Sequence, residues 1–128
     1  MKKGILAVLA LLAVSAGFGF SARAQTVSVE GEAERGRTFA LQACTGCHLV
    51  APNQPFKPIY TGTPRPPDFA EIANRPNITS ASLQHHLQTL PAVPKDSLMA
   101  NPMLSNEQLR QVVAFIITLR NQPANSAR

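Results

Sequence analysis

Six prolines fall in the sixteen residues from 52 to 67, at positions 52, 55, 58, 64, 66 and 67. Each removes a backbone donor and fixes φ, so neither a helix ladder nor a central strand can run through them. The chain must cross the middle of its length as an irregular loop, with its regular structure on either side. No stretch shows the apolar–polar alternation of a half-buried strand, and no internal repeat is present. The expected architecture is all-α, with three or four helices joined by long loops.

The helices can be placed from their start and stop signals. A first helix is predicted over about Val29 to Ala43, with Glu30, Glu32 and Glu34 toward the positive end of its dipole and Arg35 and Arg37 later. A short helix in "DFAEIAN" begins near Asp68 and stops before Arg75-Pro76. A third runs from about Thr79 to Leu90, with Leu83, Leu87 and Leu90 on one face, and Pro91 and Pro94 end it. The last is the clearest. Ser105 and Gln108 form a capping box, and Leu109, Val112, Val113, Ile116 and Ile117 make a helical apolar stripe, with Pro123 closing it. Loops as long as 52–67 and 91–104 are uncommon in a compact domain unless they serve a function, and here they would have to wrap something.

The first 24 residues read as a cleaved secretory signal. Lys2 and Lys3 precede an apolar run from Ile5 to Val14, and Ala22-Arg23-Ala24 supplies a small-residue cleavage site. The rival reading is a retained anchor, since Gly4 to Phe20 is 17 residues without a charge. Cleavage leaves 25–128 as one small domain. Lys2, Lys3 and Arg23 leave with the signal and no acid does, so the net charge falls from +5 to +2. The remaining Arg and Lys are scattered without interleaved aromatics, which argues against nucleic-acid binding. The mature chain has no Trp and a single Tyr, Tyr60. Its core is therefore lean, and a large apolar cofactor would supply what the side chains do not.

The chemistry concentrates in "C-T-G-C-H". Cys44 and Cys47 are the only cysteines, and His48 follows at once. A disulfide across so short a loop would stabilise little. As a redox dithiol the motif belongs after a strand in a βαβ unit, which this chain lacks. Structural zinc would need a fourth ligand from His85 or His86. Covalent haem fits the spacing directly. Thiols three residues apart lie on about the same side of a helical turn and can each form a thioether with one of the two haem vinyls. The next residue then offers its imidazole to the iron. Secretion agrees, because c-type haem is attached outside the cytoplasm.

The opposite face of the iron has four candidate ligands, Met99, Met103, His85 and His86, or none. His85 and His86 are neighbours on a predicted helix, where a solvated face is the simpler reading. Met99 and Met103 lie in the loop before the last helix, where an irregular segment can carry a thioether across a ring. Ordinary apolar packing is their alternative role.

Taken together, "G-R-T-F-A-L-Q-A-C-T-G-C-H", "P-P-D-F", "M-A-N-P-M-L-S" and "L-R-Q-V-V-A-F-I-I-T-L" resemble the small monohaem class I cytochromes c of bacterial periplasms. The resemblance covers essentially the whole mature chain. It implies the cytochrome c fold around one covalent haem c, attached through Cys44 and Cys47 with His48 as proximal ligand. Gly36 matches the glycine at which the first and last helices cross closely, and Phe115 the aromatic at that crossing. Pro67 matches the proline whose carbonyl takes a bond from the proximal imidazole. Met99 stands where "Met-Pro-Asn" would align, although Ala100 follows it, and Pro102 before Met103 keeps Met103 as the alternative. Phe39 falls one residue from the usual aromatic, whose slot Ala40 takes.

The function so implied is a periplasmic one-electron carrier, a monomer docking transiently with a dehydrogenase, oxidase or reductase, and not an enzyme. Two other functions compete with it. A gas-binding haem with an open sixth position is one, although its four-helix relatives place the motif near the C-terminus. The other is an electron-transfer subunit held permanently by a periplasmic dehydrogenase.

Overall fold

The computed structural model describes residues 28–93 and 99–122. Among them are four helices and no strand: α1 (Val29–Ala43), α2 (Phe69–Ala73), α3 (Ser80–Thr89) and α4 (Asn106–Thr118). The expected signal segment and its cleavage site lie outside the described residues. No helix among those described is long and apolar enough to cross a membrane.

Side chains close the helix starts where the sequence placed them. Ser28 accepts from Gly31 N at 3.1 Å to cap α1, and Thr79 accepts from Ser82 N at 3.0 Å to cap α3. At α4, Ser105 accepts from Gln108 N at 3.2 Å while Gln108 accepts from Ser105 N at 2.9 Å, the reciprocal capping box.

Helices α1 and α4 form the principal contact, and small residues make it possible. The buried face of α1 is Ala33, Gly36 and Ala40, and that of α4 includes Leu109, Val112, Val113, Phe115 and Ile116. At Gly36 the backbones touch. A Cβ there would overlap the Gln111 carbonyl and come within 2.9 Å of Val112 N. Ala40 is fully buried and Phe39 packs partly buried beside it. From α3, Leu83 and Leu87 enter the core and Leu90 lies at its edge, as their common face predicts. Among the described residues the buried aromatics are Phe69 and Phe115, whose rings sit 6.4 Å apart.

Helix α4 stops short of the predicted proline. It ends at Thr118, with Leu119 as its cap and Ile117 only partly buried, while Pro123 lies outside the described residues. The reason is a competing set of partners. Arg120 donates to Ala73 O at 3.3 Å and to Ile78 O at 2.6 Å. Asn121, at φ 64°, donates its N–H to Asn74 Oδ1 at 2.8 Å. Asn74 in turn donates to Gln122 O at 3.2 Å and Ala70 O at 2.7 Å. These bonds tie the end of α4 to the end of α2, and an asparagine tolerates the left-handed turn they require.

Candidate haem-attachment site

The C-x-x-C-H stretch continues the last turn of α1. Cys44 N donates to Ala40 O at 2.9 Å, Cys47 N to Cys44 O at 3.2 Å and His48 N to Cys44 O at 2.9 Å. Thr45 adds a side-chain bond to Leu41 O at 3.2 Å. This is helical-turn geometry, so the thiols three residues apart and the imidazole beside them belong to one turn. Tyr60 N donates to Gly46 O at 3.0 Å, which folds the proline-rich loop back onto the motif.

His48 is held from two sides. Its Nδ1 lies 2.8 Å from the Pro67 carbonyl oxygen, and its ring packs against Phe69 with centroids 5.4 Å apart. A carbonyl can only accept, so Nδ1 carries the proton and the neutral ring keeps its lone pair on Nε2. That is the tautomer a metal ligand needs. Phe69 rests in turn on Phe115 of α4, so the α1–α4 crossing supports the imidazole through two rings.

The Cys44 thiol does not suit dithiol exchange. Burial first, and the neighbouring Cys47 second, push the Cys44 thiol up to about 11. A thiol that stays protonated near neutrality is a poor nucleophile, whereas redox dithiols rely on a lowered pKa. Nor do the described residues group three or more His, Cys, Asp or Glu so as to hold a bare metal ion. Two thiols and a tautomer-fixed imidazole on one turn fit a metal carried by a covalently attached ring. Cys44 and Cys47 would hold the ring and His48 the iron, and the iron would supply one-electron chemistry.

The remaining candidates separate by position. His85 and His86 are both exposed on α3. Met99 is partly buried and packs against the core with Leu90 and Leu104. Met103 is 81 % exposed. Its φ is 54°, and its N–H donates to Asn101 Oδ1 at 2.9 Å.

Asn101 anchors this loop, and no local pattern in the sequence marked it. Its N–H donates to Pro91 O at 2.9 Å. Its side-chain amide donates to Gln88 O at 3.2 Å and Leu90 O at 3.1 Å. One side chain thus fastens residues 99–103 to the end of α3. Asn101→Ala removes the side-chain bonds and strips partners from carbonyls at a helix end. We expect it to lower stability by about 2 kcal/mol, read as a reduced midpoint in urea with an unchanged m-value.

Fold and site together define a small helical protein built around a covalently attached haem. A family model for cytochrome c matches residues 33–120. The chain belongs to the cytochrome c family, and its cofactor is haem c. Comparison with curated proteins and with solved structures found no match.

Proposed function

We propose that this cytochrome c is a periplasmic one-electron carrier in which His48 and Met99 are the axial ligands of the iron. Haem c supplies one electron at a time by moving between Fe(III) and Fe(II). The chain's part is to hold that centre still. Cys44 and Cys47 fasten it to the end of α1, the Pro67 carbonyl fixes the His48 ring, and Asn101 fastens the Met99 loop. His48 and Met99 would together leave no open position on the iron for a substrate, and the chain would then act as a carrier rather than an enzyme. Rigid ligands also keep the rearrangement between oxidation states small.

The observation that carries this reading is the contrast between the two methionines. Met99 packs on the core, whereas Met103 lies 81 % exposed. A thioether already in an apolar setting costs little to hold over a haem, and a thioether ligand favours Fe(II) and raises the potential. The secretory layout of residues 1–24 supports the compartment, and a low net charge with a small domain suits brief docking to redox partners.

The test uses the native protein. Its oxidised spectrum should carry the thioether-to-iron charge-transfer band at the red edge of the visible, and it should bind neither CO nor cyanide readily without denaturant. The haem stain should follow the periplasmic fraction of cells. Ready CO binding by the native protein would replace this reading with a gas-binding haem. Co-elution of the native extract with a dehydrogenase would replace it with a permanent subunit.

A further inference from the structure

We infer that the Arg65–Asp68 ion pair sets the reduction potential of the iron by the balance of its charges beside the Pro67 carbonyl that orients His48. The inference rests on the cytochrome c assignment and His48 ligation, and does not depend on which methionine is the sixth ligand.

The starting point is a gap in the backbone. Pro66 and Pro67 have no N–H, so neither can donate a bond that fixes the segment presenting the Pro67 carbonyl. Its position must come from the flanks. On one flank, Phe69 N donates to Leu49 O at 2.9 Å. On both flanks at once stands Arg65. Its Nη1 donates to Asp68 Oδ1 at 2.7 Å and to Pro66 O at 3.3 Å, and its Nη2 to Glu71 Oε2 at 3.5 Å. Glu71 Oε2 also accepts from Asp68 N at 3.4 Å. The guanidinium therefore bridges the two prolines and closes residues 65–68 into a clasp around the carbonyl that orients the imidazole.

Charge gives the clasp a second effect. Asp68 is only 3 % exposed, and a carboxylate so buried is tolerated when it is paired. It is the next residue after Pro67, whose carbonyl accepts from His48 Nδ1, so a single peptide links it to the group that orients the imidazole. Arg65 is half exposed and balances it. An unbalanced negative charge at this point favours Fe(III), and an unbalanced positive charge favours Fe(II).

The experiment measures reduction potentials of the holoprotein and three variants. Asp68→Asn keeps a residue able to cap α2 and removes one of the two carboxylate charges at Arg65. It should shift the Fe(II)/Fe(III) ratio at fixed ambient potential toward Fe(II) by about three- to tenfold. Arg65→Gln removes the positive charge beside Asp68 and should shift the ratio toward Fe(III), by about threefold. The Arg65→Gln/Asp68→Asn double variant should return to within about twofold of the parent. Tenfold corresponds to 59 mV for one electron.

Opposite signs are the discriminating result. If the pair served structure alone, both single variants would loosen the Pro67 carbonyl and weaken the His48 bond. The imidazole would become less basic, and both potentials would rise. Shifts of the same sign, or single-variant shifts below twofold, overturn the proposal. Should Asp68→Asn fail to mature with haem, Arg65→Gln against Arg65→Lys decides the matter. The lysine keeps the charge and should hold the ratio within about twofold, while the glutamine should not.

Discussion

Replacing Gly36 with alanine should cost about 3 kcal/mol or more and lower the thermal midpoint by more than about 10 °C. The added methyl would overlap the Gln111 carbonyl and meet Val112 N at 2.9 Å. Both are backbone atoms of α4, so no side chain can rotate away and the helices themselves must separate. Separation loosens Phe115, then Phe69, and then the ring of His48 that rests on it. The loss should therefore appear in the haem spectrum as well as in the melting curve. Gly31→Ala on the same helix is the control. Its methyl would meet side-chain atoms only, Ser28 Oγ at 3.3 Å and an Arg35 nitrogen at 3.5 Å. The gain in helix propensity offsets that adjustment, and stability should stay within about 1 kcal/mol of the parent. Equal melting of Gly36→Ala and the parent would show that the crossing tolerates a wider spacing.

The second large effect is expected at Met99. Met99→Ala should abolish the thioether charge-transfer band and open the sixth position, so that CO and cyanide bind without denaturant. Loss of a ligand that favours Fe(II) should also lower the potential, by a sizeable part of the roughly 0.8 V over which axial ligation acts. Met103→Ala should leave all three properties as they are. The physical basis is the asymmetry between a core-packed thioether and one held in solvent by a left-handed backbone. Retention of the band in Met99→Ala with loss in Met103→Ala would exchange the two roles. Loss in neither would remove the His/Met reading altogether.

The sequence bears unevenly on the fold and the site. Helix α1 begins and ends where its acids and the cysteine motif place it, and α4 begins at its capping box, because both signals act within one turn of chain. The end of α4 was not legible in the same way. Pro123 marked a limit, but the helix stops at Thr118, since Arg120 and Asn121 bond to residues more than forty positions earlier. Asn101 and Arg65 illustrate the same divide within the site. Arg65 pairs at a separation of three residues, yet an arginine in a proline-rich loop gives no sign that the aspartate it meets is buried. Asn101 bonds to carbonyls ten to thirteen residues away, which no local pattern encodes.

The sequence by itself determined the chemistry of attachment. Two thiols three apart and an adjacent imidazole form a covalent requirement, met within one turn whatever the rest of the chain does. It determined the all-α class for a similar reason, because prolines and helix caps act on neighbouring residues. Only the tertiary structure decided how the imidazole is oriented, which methionine packs on the core and that the carboxylate of Asp68 is buried. Those outcomes depend on contacts between segments far apart in sequence, chiefly the close crossing of α1 and α4 at Gly36 and the clasp of residues 65–68 on the Pro67 carbonyl.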